Sequence, residues 1–144
     1  KKIHSFHILI CGKNLPKSIE EKLNPIQEIT YCGFVDDIEL YIDGADLMLN
    51  PIISGGGIKT KAVDTLSRSQ VVISSKTGAE GINPDVCGDF LKIINDHEWN
   101  LFAEEIVHQL KKGKVGEIPS SFFETYSWPG IIKNLNQKLS DLKF

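Results

Sequence analysis

The chain has 144 residues, which is typical of one compact domain and enough to bury roughly two-thirds of its unfolded surface. Hydrophobic residues make up 41% and charged residues 24%, a usage that excludes disordered, fibrous and membrane-spanning chains. The formal net charge of −3 excludes a broad basic surface, so we expect no nucleic-acid partner.

Cysteine and histidine are too scattered to indicate a disulfide framework or a metal site. The residues concerned are Cys11, Cys32, Cys87, His4, His7, His97 and His108. We therefore expect no metal and a reduced, cytoplasmic location. We also expect no bound cofactor. Because the chain opens almost directly on a strand, we also expect it to be a segment of a longer protein.

Strands and helices alternate along the chain. The predicted strands are residues 6–11, 29–32, 46–53, 71–74 and 90–94. The predicted helices are residues 17–23, a helix capped by Asp36, residues 58–68, residues 98–112 and a helix from about Pro129. Strands that are apolar throughout and separated by single helices indicate a parallel sheet covered on both faces. The predicted class is α/β, a Rossmann-like, doubly wound parallel sheet in a single domain.

An apolar stripe runs along the last predicted helix. Its members are Ile131, Leu135, Leu139 and Leu142. This spacing follows one face of a helix, and it predicts core packing.

Glycines fill the turn after the third predicted strand. In open parallel sheets, ligands bind beyond the carboxyl ends of the strands, where Ser54, Gly55, Gly56 and Gly57 lie. Glycines let the backbone approach a phosphate closely, and the N–H groups and positive dipole end of the next helix favour negative charge. The turn therefore predicts a diphosphate site.

Lys61 and Asp64 are one turn apart on the next predicted helix and share one face, whereas Lys59 points elsewhere. The face toward the sheet is predicted to hold Ile58, Ala62 and Leu66. Lys61 is suited to pair with phosphate oxygens, and Asp64 is suited to accept hydrogen bonds from two ribose hydroxyls. The residues alone support a second interpretation equally well. In it, the glycines serve only the conformation of the turn, and Lys61 and Asp64 form a solvated ion pair. Neither the Walker nor the dinucleotide glycine pattern is matched.

Several segments resemble, in order, the C-terminal domain of retaining GT-B glycosyltransferases that use nucleotide sugars. They are residues 33–37 (GFVDD), 44–46 (GAD), 57–64 (GIKTKAVD), 71–73 (VVI) and 78–81 (GAEG). The resemblance implies a donor-binding half of a two-domain enzyme, whose acceptor is unknown and whose N-terminal domain lies outside this sequence. Residues 126–128 resemble the turn into a closing helix that returns to that domain. A membrane surface is a compatible setting for the full-length protein.

The resemblance also implies roles for individual residues. The implied nucleotide-sugar contacts are Gly33, Phe34 and Val35 for the base; Gly55, Gly56, Gly57 and Ile58 for the diphosphate and sugar; Lys61 for phosphate; and Asp64 for ribose. Lys61 is also the catalytic candidate, because it would stabilise charge on the departing diphosphate. Lys59 and Glu80 are further candidates. The family often has a sugar-binding glutamate eight positions before the ribose-binding acid, where this chain has Gly56.

Two other functions remain open. The glycine at position 56 is compatible with a non-catalytic nucleotide-sugar-binding module or a purely structural α/β module. A receiver-like signalling domain ranks last, because such a domain places an acid after its third strand, where this chain has Asn50 and Pro51.

Overall fold

A computed structural model describes residues 5–113 and 116–142 of the chain. His4 and part of the predicted surface loop at residues 111–116 lie outside the described residues. The chain divides into two compact units, residues 1–44 and residues 45–144. Both units pair parallel strands and connect them through helices, so the predicted α/β class is confirmed.

The first unit holds two parallel strands, β1 (Ile8–Cys11) and β2 (Ile29–Gly33). Its helices are α1 (Lys17–Leu23) and α2 (Ile38–Gly44). The α2 cap is one residue later than predicted. A carboxylate oxygen of Asp37, and not of Asp36, accepts the backbone N–H groups of Glu39 and Leu40 at 3.2 and 3.3 Å.

The second unit is built on three parallel strands in the order β3 (Leu47–Asn50), β4 (Val71–Ser75) and β5 (Leu91–Ile94). All residues of β4 are buried, which means that both faces of the central strand are covered. Strand β3 is shorter than predicted because it ends before Pro51, which has no N–H group to donate to a ladder.

The described residues of this unit form four α-helices: α3 (Thr60–Ser67), α4 (Trp99–Lys112), α5 (Ser120–Tyr126) and α6 (Trp128–Asp141). Two short 3₁₀ turns, Pro84–Val86 and Gly88–Phe90, precede β5. Helix α5 was not predicted, although its Phe122 is only 1% exposed and joins Leu66 and Val72 in the main apolar core.

The apolar stripe of α6 does not pack in the core of this chain, so that prediction is wrong. Ile131 is 41% exposed, and Leu135 and Leu139 are each 53% exposed. Helix α6 is attached to α5 along another side, where the Asn134 amide donates to the backbone carbonyl of Glu124 at 3.2 Å. Periodicity identified an apolar face without revealing what covers it.

Within residues 5–113 and 116–142, no helix is both long enough and apolar enough to cross a membrane.

Candidate functional site

The carboxyl ends of β3, β4 and β5 lie at one edge of the second sheet, because the three strands run parallel. Three segments follow these ends: residues 51–59, residues 76–81, and the turn that contains Asp96. We call residues 54–57 the glycine turn and residues 76–81 the β4 loop. Most of the residues singled out from the sequence are in these segments or in α3, at the edge where open parallel sheets bind ligands.

A buried polar network holds this edge together. Asn50 is 4% exposed, and its side-chain amide donates to the Ser74 hydroxyl and to the backbone carbonyl of Gly78, each at 3.0 Å. The Ser75 hydroxyl donates to the Asn50 carbonyl at 3.3 Å, accepts the Gly78 N–H at 3.1 Å and also contacts the Ile52 carbonyl. These bonds tie the end of β3 to the β4 loop.

Gly78 is required by space and not by backbone conformation. A β-carbon at this position would lie 2.7 Å from the Ser74 hydroxyl oxygen and 2.8 Å from the Asn50 carbonyl oxygen. The sequence did not predict this network, because Asn50 was considered only as the position where a receiver-like domain would have an acid. Its one signal was an amide at the end of an apolar strand.

The glycine turn is open and exposed. Gly55 and Gly57 have φ angles of +88° and +79°, which favour glycine, and a β-carbon on either would meet nothing within 4 Å. The backbone N–H groups of Gly56, Gly57 and Ile58 donate to no other described residue. Donors of this kind are available for an anionic ligand.

The sequence predicted that the Lys59 side chain points away from the glycine turn, but in the structure it points into the turn. Its ammonium donates to the backbone carbonyls of Gly55 at 2.9 Å and Gly57 at 2.7 Å, so a positive charge lies inside the glycine turn. The physical reason is that α3 begins at Thr60 and not at residue 58, which leaves Lys59 at the N-cap with an extended backbone.

The later start of α3 also changes the position of Ile58. This side chain is 42% exposed and does not share the sheet-facing side of α3, where Ala62 and Leu66 are fully buried. Ile58 instead lies against the end of the β4 loop, because a β-carbon on Gly81 would be 3.2 Å from its Cβ. The glycine turn and the β4 loop are therefore neighbours.

Lys61 and Asp64 are both exposed on α3, away from its buried face, as their spacing predicted. Neither side chain forms a hydrogen bond or ion pair with another described residue. Lys61 follows the N-terminal residue of the helix, whose positive dipole end favours anions. The first turn of α3 thus combines a cation with N–H donors beside the glycine turn.

Asp96, which follows β5, anchors the start of the β4 loop. Its carboxylate accepts the Thr77 hydroxyl at 2.6 Å and the Thr77 backbone N–H at 3.0 Å. These two bonds, the hydroxyl foremost, lower the pKa of Asp96 below its usual value, and the charges of His97 and Lys76 act in the same direction. Glu80 lies at the rim of a shallow concavity that Lys76, Thr77 and Asp96 also line.

Three predicted site residues, Gly33, Phe34 and Val35, belong to the first unit and follow β2. Gly33 has a φ angle of +67°, and Phe34 is 60% exposed. The Lys13 ammonium lies 3.8 Å from the centre of the Phe34 ring, a cation–π contact. An exposed aromatic ring beside a glycine suits contact with a planar ligand.

Comparison with known proteins finds a matching family model and a relative. The family model for group 1 glycosyl transferases matches residues 1–112. The relative is the "Uncharacterized 44.6 kDa protein in cps region" of Klebsiella pneumoniae, which is 32% identical over 76 residues, or 53% of this chain. The matched region spans only 19% of that protein's length. The family match includes the glycine turn, α3, the β4 loop and Asp96.

Proposed function

Because the chain belongs to the group 1 glycosyl transferases, we propose that it binds a nucleoside diphosphate sugar and presents the sugar for transfer to an acceptor. One observation carries the proposal: the exposed glycine turn, with unpaired N–H donors and a lysine at its centre, lies at the carboxyl edge of a parallel sheet. That combination favours a diphosphate over a neutral ligand.

The chemistry at this turn is electrostatic. When the bond between sugar and phosphate breaks, negative charge accumulates on the departing diphosphate. Fixed N–H donors, the positive end of α3 and the ammonium groups of Lys59 and Lys61 would stabilise that charge without reorganising. Lys61 has no side-chain partner among the described residues and is free to contact phosphate oxygens. Lys59 shapes the turn and contributes charge behind it.

Asp64 supplies the complementary acceptor. An ionised carboxylate one helical turn from Lys61 can accept two hydroxyl hydrogen bonds, which suits the ribose of a nucleotide whose diphosphate contacts Lys61. On the resemblance alone, we assign the base to Gly33, Phe34 and Val35, which belong to the first unit.

The proposal extends to the whole enzyme. We propose a two-domain GT-B protein that retains the configuration of the transferred sugar, works in the cytoplasm and reaches an acceptor at a membrane surface through its N-terminal domain. The exposed apolar face of α6 supports a partner domain, because Trp128 is 76% exposed and Leu135 is 53% exposed. The positive groups at the glycine turn fulfil the task that a metal performs in other transferases, so no metal is invoked.

A second function is favoured by one residue. Gly56 offers no side chain to a sugar, which suits a module that binds a nucleotide sugar without transferring it. Turnover by the full-length protein separates the two functions: release of free nucleoside diphosphate that depends on added acceptor requires transfer, whereas binding alone releases none.

The test of donor binding is a calorimetric titration of the 144-residue chain with UDP, GDP and ADP, and with UDP-glucose, GDP-mannose and ADP-glucose. We expect one base to bind more tightly than the other two, and its affinity to fall when salt screens the diphosphate. Equal, millimolar binding of all six compounds would contradict the proposal.

A further inference from the structure

The β4 loop is anchored near its start at two successive residues. The Asp96 carboxylate binds Thr77 through both the hydroxyl and the backbone N–H. At the next residue, Gly78, the backbone carbonyl accepts a hydrogen bond from the Asn50 amide, and the backbone N–H donates to the Ser75 hydroxyl. The loop therefore has one defined position at the edge of the sheet.

The far end of the same loop lies against the segment that follows the glycine turn. Gly81 has a φ angle of +83° and approaches Ile58 so closely that a β-carbon would be 3.2 Å from the Ile58 Cβ. The N–H group of Ile58 is one of the unpaired donors beside the turn. The β4 loop therefore borders the donors at which we propose that the diphosphate binds.

Between these anchors, the direction of Glu80 is constrained. Ala79 and Ile82, on either side of the Glu80–Gly81 pair, are only 5% and 6% exposed, whereas Glu80 is exposed. Its carboxylate accepts no hydrogen bond from any described residue. Asp96 on the same concavity accepts two hydrogen bonds from Thr77, one on each carboxylate oxygen. Glu80 is thus the carboxylate on this concavity that has no hydrogen-bond partner among the described residues, and Lys76 is the nearby exposed cation.

We infer that Glu80, with Lys76, forms the subsite for the sugar of the donor, on the concave surface of the β4 loop beside the diphosphate turn. This inference rests on the proposed binding of a nucleoside diphosphate sugar. The sugar is bonded directly to the second phosphate, so it lies next to the group that we place at the glycine turn. A carboxylate accepts hydrogen bonds from sugar hydroxyls and an ammonium donates to them, which is the pairing that a polyhydroxylated ring requires.

The test compares a nucleotide with and without its sugar. The 144-residue chain and the Glu80→Gln variant are titrated with the diphosphate that binds among UDP, GDP and ADP. Each is then titrated with the tightest conjugate among UDP-glucose, UDP-galactose, GDP-mannose and ADP-glucose. We expect Glu80→Gln to lower the affinity for the conjugate about tenfold and to leave the bare diphosphate unchanged, because a charged hydrogen bond is lost only with the sugar.

Two further variants separate a sugar contact from a general effect. Glu80→Asp keeps the charge and should recover part of the lost affinity for the conjugate. Glu104→Gln, an exposed glutamate on α4, should change neither affinity. By NMR, the amide of Gly81 should shift more with the conjugate than with the bare diphosphate.

The outcomes are distinguishable. If Glu80→Gln weakens the conjugate and the bare diphosphate equally, or neither, the sugar subsite is overturned while donor binding by the glycine turn stands. If no diphosphate binds the unmodified chain, the proposed function fails, and the subsite fails with it.

Discussion

The two loops at the carboxyl edge of the second sheet are built in opposite ways. The β4 loop is held by buried side chains, with Asn50 and Ser75 bonded to Gly78 and Asp96 bonded to Thr77. The glycine turn is exposed, and among the described residues its side-chain hydrogen bonds come from the Lys59 ammonium. The β4 loop is therefore a fixed wall, while the glycine turn leaves its backbone donors open to a ligand.

The two loops should differ most in the loss of unfolding free energy when a glycine is replaced by alanine. Gly78→Ala places a methyl group against two hydroxyls and a carbonyl oxygen, so we expect a loss of about 3 kcal/mol in the free energy of unfolding. Gly56→Ala is the matched control, since its β-carbon meets nothing within 4 Å and its φ angle is not positive. Its effect should stay below about 0.5 kcal/mol. Urea unfolding measures both, and equal losses would contradict the comparison.

Removal of a lysine should affect ligand binding without unfolding the domain. Lys61→Ala should weaken the binding of the preferred nucleoside diphosphate by about 2 kcal/mol, which is typical of a charged hydrogen bond. The urea midpoint should not move, because the Lys61 side chain is exposed. Lys111→Ala, an exposed lysine near the end of α4, is the calorimetric control. An unchanged affinity in Lys61→Ala would remove this residue from the site.

Asp64→Asn should distinguish a contact to the ribose from a contact to the phosphates. We expect about 1 kcal/mol of lost affinity for the nucleoside diphosphate, because a charged acceptor becomes neutral. The affinity for inorganic pyrophosphate should be nearly unchanged. Competition titrations with both ligands test this, and equal losses would argue against a ribose contact.

The smallest expected effect concerns pH and the anchor of the β4 loop. The hydrogen bonds from Thr77 lower the pKa of Asp96 in the folded state, so the carboxylate stabilises the fold above its unfolded pKa of about 3.9. That contribution is lost as the pH falls through the lower, folded value. Urea midpoints of the chain and of Asp96→Asn should therefore differ slightly at pH 7 and converge below about pH 4. A difference that grows toward acid would contradict this assignment.

Much of the architecture was predictable because local patterns specify it. Helix α1 occupies the predicted residues 17–23, and β4 extends the prediction by one residue, to Ser75. The glycine turn was equally visible, since Pro51 and three consecutive glycines interrupt the apolar pattern. Helix α5 escaped prediction because it has seven residues and several aromatics, whose individual helix propensity is low.

The details of the site were harder to predict because they depend on tertiary contacts. Asn50 meets Ser74 only because the register of β3 and β4 places them side by side. The direction of Lys59 depended on where α3 begins, and a shift of two residues moved it from the helix surface into the glycine turn. Sequence patterns predict an element more reliably than its first residue.

The most direct test of the account is an NMR titration of the 144-residue chain with the nucleoside diphosphate that binds most tightly. We predict amide shifts at residues 55–64, largest at Gly56, Gly57 and Ile58, where the unpaired donors lie, with a second group at Gly33, Phe34 and Val35. Shifts confined to other parts of the chain, or none at millimolar nucleotide, would contradict the assignment of the glycine turn as the diphosphate site.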